Sequence, residues 1–402
     1  MKLSISGGRI SLFITRLIIV ATAISPAFAI DEDSRNLLLI GVMGLSPIIF
    51  LASFKRFYPA DYWLIAVMIG LVVMPLVVNP ESMRWSTVLF TQMFGITYLA
   101  YGQLLVNRKC FTLENYQNLL KILIYAYTLM LIAQQLCVLA GLPIINSSNY
   151  NPGEPWKLNS FASEPSHSAR IVALLMYCYI AMAELINRRS YNFSKDLKHD
   201  RWIWMSFLWT MVTMQSGTAF VFFAILLTKF LRLKSVLGLS VLIGCIFFLA
   251  DFVGVTAYER AIRLFVAFWS FDIMTIYNAD PSGAYRVVPF FVVAELASIT
   301  SFDGWFGHGV DYVSYVIQGR IPFYFPEGGI GGGMLQVWVD FGFLVFACFM
   351  IFSILSFFRK GEYVSWLFWF MLVFVSNLNY QIMWLFFILL LTNRYFASRQ
   401  IS

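Results

Sequence analysis

Residues 160–186 read SFASEPSHSARIVALLMYCYIAMAELI, a polar stretch that runs directly into an apolar one. The apolar part, 165–186, has about the length that an α-helix needs to cross the hydrocarbon core of a bilayer. Further apolar runs lie at 10–30, 37–54, 62–78, 87–106, 119–142, 202–214, 218–232, 235–251, 334–357, 363–376 and 381–394. The pattern predicts an all-α polytopic integral membrane protein with about 12 transmembrane helices in a single membrane domain, residues 1–402.

Composition and charge agree with this prediction. The chain is 60% hydrophobic and 12% charged, whereas a soluble domain carries about 25% charged residues. If the N-terminus is cytoplasmic, the lysines and arginines of the cytoplasmic loops outnumber those of the opposite side by more than two to one. Such sorting predicts cytoplasmic termini and two outside loops, at 143–164 and 252–333. It also explains the net charge of +7 without a nucleic-acid partner.

Several local signals refine the topology. Ala27-Phe28-Ala29 resembles a signal-peptide cleavage site, and cleavage there would leave the later topology unchanged. Residues 215–218 (QSGT) and 377–380 (NLNY) carry turn chemistry, so 202–214 and 218–232 are predicted to be two short helices.

The polar part of the opening stretch holds the sharpest candidate site. Glu164, His167 and Arg170 are spaced by three residues, so they share one face of the helix predicted to begin at Pro165. One interpretation is a capping carboxylate with a neighbouring ion pair. The other is a functional site, because three ionisable side chains at the membrane surface exceed what a cap needs.

The larger outside loop contributes arginines and a histidine. Arg260 and Arg263 share one side of a helix, and Arg286 begins a further amphipathic or re-entrant segment. Paired guanidinium groups can grip a diphosphate without a metal, although arginines at an interface also contact lipid phosphates. His308 lies between two glycines, where it could act as an acid or base or be a satisfied loop residue.

Other motifs argue against cofactors. The glycine run 328–333 does not fit a nucleotide-binding pattern and precedes a membrane span instead of following a strand. The sequence has no HExxH, no Cys/His cluster and no Walker loop, so we expect neither a metal nor another cofactor.

The motifs of the chain, and the order in which they occur, resemble those of the Wzy-type polysaccharide repeat-unit polymerases, within the O-antigen polymerase and ligase superfamily. The resemblance rests on SFASEPSHSAR (160–170), TMQSGTAF (213–220) and YRVVPFF with GWFGHG (285–291 and 304–309), and it covers most of the chain. It implies a GT-C-like glycosyltransferase that joins undecaprenyl-diphosphate-linked oligosaccharides on the outer face of the bacterial inner membrane.

The resemblance also implies roles for individual residues. Arg260, Arg263 and Arg286 match family arginines that hold the lipid diphosphate, and we place Arg170 with them. Glu164, His167 or His308 would remove the proton of the acceptor hydroxyl (His308 as the reserve). The expected partners are the lipid-linked oligosaccharide, the bilayer, and a chain-length regulator and flippase of the same pathway.

Two alternatives stay open. Ligases of the same superfamily have a histidine near the start of the span that follows the large loop, and this chain has Met334-Leu335-Gln336 there. That departure lowers the weight of an O-antigen ligase-type transferase. A non-enzymatic flippase should carry charges along many helices, whereas this chain concentrates them in two loops.

Overall fold

The computed structural model of the chain describes residues 7–24, 28–30, 33–108, 111–147, 150–230, 263, 266–318, 320, 332–359 and 361–401. Its first part consists of helices, one small hairpin and connections that are short except for the loop between α5 and α6. The elements are α1 (Gly7–Ala23), β1 (Phe28–Ile30), β2 (Asp33–Arg35), α2 (Leu37–Ser53), α3 (Pro59–Val78), a 3₁₀ helix (Pro80–Ser82), α4 (Trp85–Arg108), α5 (Leu113–Ala140), α6 (Pro165–Asn187), α7 (Phe193–Thr213) and α8 (Gly217–Thr228).

The later part begins with short helices and ends with longer apolar ones. Its elements are α9 (Ile273–Ala279), α10 (Pro281–Leu296), α11 (Phe302–Phe306), α12 (Tyr312–Gln318), α13 (Gly333–Phe341), α14 (Phe343–Phe357), α15 (Tyr363–Trp369), a π-helical segment (Phe370–Phe374) and α16 (Gln381–Ile401).

Helix length and composition identify a helical membrane protein, as the sequence predicts. Within the described residues, α3, α5 and α6 are long and apolar enough to cross a membrane. Four shorter apolar helical segments accompany them, at Leu37–Ser53, Gly217–Thr228, Phe343–Phe357 and Tyr363–Phe374.

Several predicted runs differ from the observed helices at their ends, as where α7 begins at Phe193 instead of 202, and two differ in kind. The run 10–30 extends too far, because α1 ends at Ala23 and β1 pairs antiparallel with β2 from Phe28 onward. The run 334–357 is divided at Gly342, which adopts a φ of +91° between α13 and α14. A Cβ at Gly342 would lie 2.2 Å from the carbonyl oxygen of Trp305, so the division allows a close backbone contact.

The two turn predictions are confirmed. Helix α7 ends at Thr213 and α8 begins at Gly217, with Gln215 at a φ of +50° between them. Residues 377–380 form the turn that precedes α16. The predicted run 235–251 lies outside the described residues.

The chain divides into two compact units, each assembled from segments that are distant in sequence. Unit 1 comprises Met1–Lys55, Thr97–Ala257 and Trp384–Ser402, and unit 2 comprises Arg56–Ile96 and Tyr258–Met383. Of the four limits between the units, one falls inside α4 and one near the start of α16.

Helix α6 is the centre of unit 1. Its side chains from Ala169 to Ala183 are almost all buried, and it packs against α5, α7 and α8. A membrane helix that is covered by protein on all sides can carry polar residues at its end without exposing them to lipid. The position of α6 therefore suits the polar motif that precedes and begins it.

Helix α13 has the corresponding position in unit 2. It contacts α3, α10, α11, α12, α14 and the π-helical segment. A buried apolar cluster joins it to α10, and its members include Val339 of α13 and Ala284, Val288 and Val292 of α10. The spacing of four residues places these three on one face of α10. The short helices of the region 266–318 thus have a core of their own.

Candidate functional site

The polar motif of unit 1 has the local structure that its sequence predicts. Pro165 is the first residue of α6, and Glu164 precedes it with an extended backbone. Nε2 of His167 lies 4.0 Å from Oε2 of Glu164, and its Nδ1 lies 3.0 Å from Oγ of Ser163. The hydroxyl of Ser166 donates to Oε2 of Glu164 over 3.1 Å. The structure therefore brings together Glu164 and His167, with the carboxylate more exposed than the imidazole.

A buried polar network holds the loop in front of this motif. The amide nitrogen of Gln134, on α5, donates to the carbonyl of Ile145 and to Oδ1 of Asn159, and its oxygen accepts from the N–H of Ser160. Asn146 and Ser160 adopt positive φ values of 56° and 51°. Such left-handed conformations persist where surrounding contacts determine them, so the loop is preorganised on α5.

Arg170 lies one further turn into α6. Its side chain is half-buried and its Nε atom is fully buried. The guanidinium therefore belongs to the inner part of unit 1 rather than to a lipid-exposed surface.

His308 of unit 2 lies in a closely packed turn. Its Nδ1 is 3.1 Å from the carbonyl oxygen of Val339, and its ring stacks on Tyr312 at a centroid distance of 4.3 Å. Its Nε2 lies 4.0 Å from Oδ2 of Asp303. Gly307 and Gly309 adopt φ values of +87° and +109°, and their nearest neighbours are the backbone of α13 and the side chain of Ser82 respectively. The flanking glycines thus bring His308 against protein.

The predicted diphosphate-binding arginines are described only in part. Arg263 is helical and exposed, and Arg286 lies within α10. Arg260 lies outside the described residues. Their role in binding a diphosphate stays a prediction.

Unit 2 contains a polar cleft that the sequence did not indicate as a site. Its volume is about 360 Å³, and it is formed by α3, α4, α13 and the segments 310–314 and 377–380. The polar side chains along it are those of Arg84, Thr87, Thr91, Asp311, Ser314, Gln336, Asp340, Asn377, Asn379 and Tyr380. We call this the unit 2 cleft.

An ion pair lies at the exposed side of the unit 2 cleft. Nη1 of Arg84 is 3.2 Å from Oδ2 of Asp311, and the side chains are 66% and 36% exposed. Asp311 adopts a left-handed φ of +63°, and the N–H of Val310 donates to Oγ of Ser82 over 3.2 Å. These contacts attach the segment around Asp311 to the 3₁₀ helix and to the residue before α4.

The inner wall of the cleft carries a second carboxyl group. Asp340 is only 3% exposed. Its Oδ1 accepts from the N–H of Val313 and its Oδ2 from Nε2 of Gln336, each over 3.1 Å. The other amide atom of Gln336, Oε1, is buried and has no hydrogen-bond partner among the described residues. The wall therefore holds the carboxyl group of Asp340 in a fixed position, next to a buried acceptor.

One sequence signal could have found this wall. Asp340 is an ionisable residue within the apolar run 334–357, and such residues inside predicted spans mark functional or structural polar contacts. Arg84 and Asp311 gave no comparable signal, because each lies in an ordinary polar stretch and they meet only in the fold.

No family model, no curated protein and no solved structure matches the chain. Among the described residues, no group of three or more His, Cys, Asp or Glu side chains is arranged to hold a metal ion. The chemistry that the two polar regions can perform therefore has to follow from their own side chains.

Proposed function

We propose that the protein polymerises undecaprenyl-diphosphate-linked oligosaccharide repeat units. The observation that carries this proposal is the unit 2 cleft, which gathers two carboxyl groups, a guanidinium and several amide and hydroxyl groups inside a protein built of apolar helices. Sugar hydroxyl groups bind through such partners. The ordered motifs at 160–170, 213–220 and 285–309 support the same proposal through their resemblance to Wzy-type polymerases.

The proposed enzyme is a GT-C-like glycosyltransferase with about 12 membrane spans in the bacterial inner membrane. Both termini face the cytoplasm, and the regions 143–164 and 252–333 face the opposite side. The distribution of lysine and arginine between alternate loops supports this orientation. A chain-length regulator and a flippase act with it in the same pathway.

The reaction requires little covalent chemistry from the protein. A lipid diphosphate is already a good leaving group, so the protein must neutralise its charge, position the acceptor hydroxyl and remove one proton. In this proposal Arg170, Arg260, Arg263 and Arg286 bind the diphosphate, and Glu164, His167 and His308 are candidates for the base. No metal takes part.

A deletion strain complemented with the wild-type chain, Glu164→Ala or Arg286→Ala tests the proposal. The readout is the length of the surface polysaccharide on a gel, with protein expression checked by immunoblot. A polymerase gives single repeat units after deletion and a ladder after complementation. Long glycan stranded on its carrier lipid would indicate a ligase. Repeat units that accumulate on the cytoplasmic face would indicate a flippase, and either result overturns the proposal.

Reconstitution provides a test of the enzyme itself. Purified protein in proteoliposomes, supplied with lipid-linked repeat units from the deletion strain, should form a ladder in buffer that contains EDTA. Empty liposomes and heat-treated protein serve as controls. If polymer formed only after addition of a divalent cation, the metal-independent mechanism would be wrong.

A further inference from the structure

We propose that the unit 2 cleft holds the terminal sugar of the acceptor repeat unit, and that Asp340 accepts the proton of its attacking hydroxyl. This inference rests on the proposed polymerase function and goes beyond it, because it assigns one cleft to the glycan rather than to the lipid diphosphate. It also names a base that is absent from the sequence-based candidates Glu164, His167 and His308.

The charges of the cleft fit a neutral glycan. Arg84 is the one cationic side chain among its lining residues, and its guanidinium is paired with Asp311. Asp340 adds a second carboxyl group. A diphosphate binds where guanidinium groups or N–H donors converge without competing carboxylates. The lining of this cleft would repel it, whereas carboxyl, amide and hydroxyl groups together can accept from and donate to sugar hydroxyls.

The size of the cleft fits the end of a glycan. Ligand sites generally have volumes of roughly 300–1,000 Å³, and this cleft, at about 360 Å³, lies near the lower limit. It offers room for a terminal sugar but not for a whole repeat unit with its lipid carrier. Arg84 is exposed and Asp340 is buried, so an acceptor would enter past the ion pair with its terminal hydroxyl toward Asp340.

Asp340 is held in one orientation before any substrate arrives. The N–H of Val313 and the amide of Gln336 each donate to a different oxygen of its carboxyl group. A carboxylate has about four lone-pair sites, so acceptor capacity remains after these two bonds. Fixed acceptors that need no reorganisation are effective in catalysis.

Gln336 supplies an independent indication of a hydroxyl-bearing ligand. Its Nε2 is used on Asp340, and its buried Oε1 has no partner among the residues that the structure describes. A buried acceptor without a donor destabilises the site until a ligand supplies the missing hydrogen bond. Since this oxygen is fully buried, a small rotation of the Gln336 side chain would bring it to a sugar hydroxyl in the cleft while a neighbouring hydroxyl reaches Asp340.

Asp311 is the less suitable base of the two lining carboxyl groups. Its Oδ2 is already paired with the guanidinium of Arg84 at 3.2 Å, so this oxygen is less available to the hydroxyl of an acceptor. We therefore assign Asp311 and Arg84 to positioning the acceptor, and the proton transfer to Asp340.

The transfer step balances without a further reactant. The oxygen of the acceptor hydroxyl forms a bond to the anomeric carbon of the growing chain. The bond from that carbon to the diphosphate oxygen breaks, and its electron pair leaves with undecaprenyl diphosphate. The hydroxyl proton moves to a carboxylate oxygen of Asp340 and later to solvent.

The first test compares Asp340→Asn with wild type in the proteoliposome assay. General-base catalysis contributes roughly 10²–10⁴-fold, so we expect at least about a 100-fold lower rate of extension with little change in the KM for the acceptor. Glu81→Gln, an exposed carboxyl-to-amide change in the same unit, serves as the control and should keep the wild-type rate. An Asp340→Asn rate within threefold of wild type would overturn the assignment of the base.

A labelling experiment tests the ligand class without relying on activity. Ser314→Cys, in a variant without the native cysteines, places a thiol on the cleft wall for reaction with a maleimide. We expect protection by oligosaccharide released from the polysaccharide by mild acid, and none by inorganic diphosphate. Protection by diphosphate alone, or by neither compound, would overturn the inference.

The two proposals fail in different ways. If a deletion strain still made polymer of normal length, the proposed polymerase function would be wrong. Protection of the thiol by saccharide would still place a glycan in the cleft. If the deletion strain made no polymer, the polymerase function would stand. If Asp340→Asn were then fully active and the thiol unprotected, the proposed acceptor site would be wrong.

Discussion

At the scale of single residues, a comparison of two glycines of unit 2 separates the effect of close packing from that of backbone conformation. Gly307 and Gly361 both adopt a φ of +87°. A Cβ at Gly307 would clash with the carbonyl oxygen of Asp340, whereas a Cβ at Gly361 would meet no atom of the described residues within 4 Å. The two positions therefore share the cost of a left-handed side chain and differ in the space around it.

We predict that Gly307→Ala lowers the melting temperature in detergent more than Gly361→Ala. A left-handed conformation costs a non-glycine residue about 1–2 kcal/mol, and at Gly307 the displaced backbone of α13 adds to this cost. Because that backbone carries Asp340, Gly307→Ala should also shorten the polysaccharide ladder. Equal melting temperatures for the two variants would show that the contact with Asp340 is unimportant.

Individual site residues were predictable only where their partners are near in sequence. Glu164 and His167 are three residues apart, so helical geometry alone brings them together, and the structure confirms their proximity. Arg84 and Asp311 are separated by 227 residues, and no local sequence pattern predicts an ion pair over such a separation. Asp340 is a carboxyl group in an apolar run but was not predicted as a site residue, and its bond to Val313 depends on the turn before α12.

At the scale of elements, α5 supports the loop at 143–164 through one buried side chain. Gln134 is fully buried and makes three hydrogen bonds to that loop, while its neighbour Gln135 accepts one bond, from the indole of Trp209 at the surface. The two glutamines form a matched pair on successive positions of the same helix.

We predict that Gln134→Leu destabilises the protein by about 3 kcal/mol, since each lost hydrogen bond contributes about 1 kcal/mol. Gln135→Leu should cost less than about 1 kcal/mol. Denaturant titration in detergent, followed by tryptophan fluorescence, measures both. Similar values for the two variants would mean that the loop does not depend on Gln134.

The start of α7 should give the protein an acid-dependent stability. Both nitrogens at the tip of the Arg189 guanidinium donate to the carboxylate of Asp196, which also accepts from the N–H of Asn192. These bonds, that of Arg189 first, hold the pKa of Asp196 below its ordinary value of 3.8. A carboxyl group with a lowered folded-state pKa stabilises the fold above its unfolded-state pKa and loses this effect as the pH falls.

We therefore predict that Asp196→Asn lowers the melting temperature at pH 7, and that its difference from wild type shrinks as the pH falls below 3.8. The asparagine keeps an acceptor for the N–H of Asn192, so the comparison isolates the charge. A scan of melting temperature between pH 3 and pH 7 measures the effect. A difference that is constant over this range would contradict the assigned role of Arg189.

The elements themselves were largely predictable because apolar runs and turn residues act locally. The ends of α2, α3 and α6 agree with the predicted runs to within about three residues at most. The division between α13 and α14 was not predictable, since Gly342 is conspicuous only when the carbonyl of Trp305 approaches it. The hairpin after α1 was also missed, because six paired residues are too few to alter an apolar pattern.

At the scale of the whole molecule, the proposed orientation in the membrane makes a direct prediction. Lys157 and Lys195 both have exposed side chains and lie on opposite sides of the membrane if α6 crosses it. In a variant without the native cysteines, we expect a membrane-impermeant maleimide to label Lys157→Cys in intact spheroplasts. Lys195→Cys should react only after permeabilisation. Labelling of Lys195→Cys in intact spheroplasts would reverse the proposed topology.

The division into two units was not predictable from the apolar pattern. Such a pattern gives the length and hydropathy of each membrane helix but not which helices contact one another. The contact of α3 with α14, where Val345 lies against Gly70, joins positions that are far apart in the chain. The same holds for the site, because the cleft collects its lining from five separate segments.

The composition of unit 2 from two distant segments has a consequence for synthesis on the ribosome. Helix α3 enters the membrane early, but its partner α14 belongs to the segment that begins at Tyr258. At about 5–20 residues per second, translating the roughly 260 residues between the end of α3 and the start of α14 takes more than about ten seconds. During that interval Gly70 and the surface around it face lipid or a helper protein, so the nascent chain is most vulnerable to proteolysis before its last third is made.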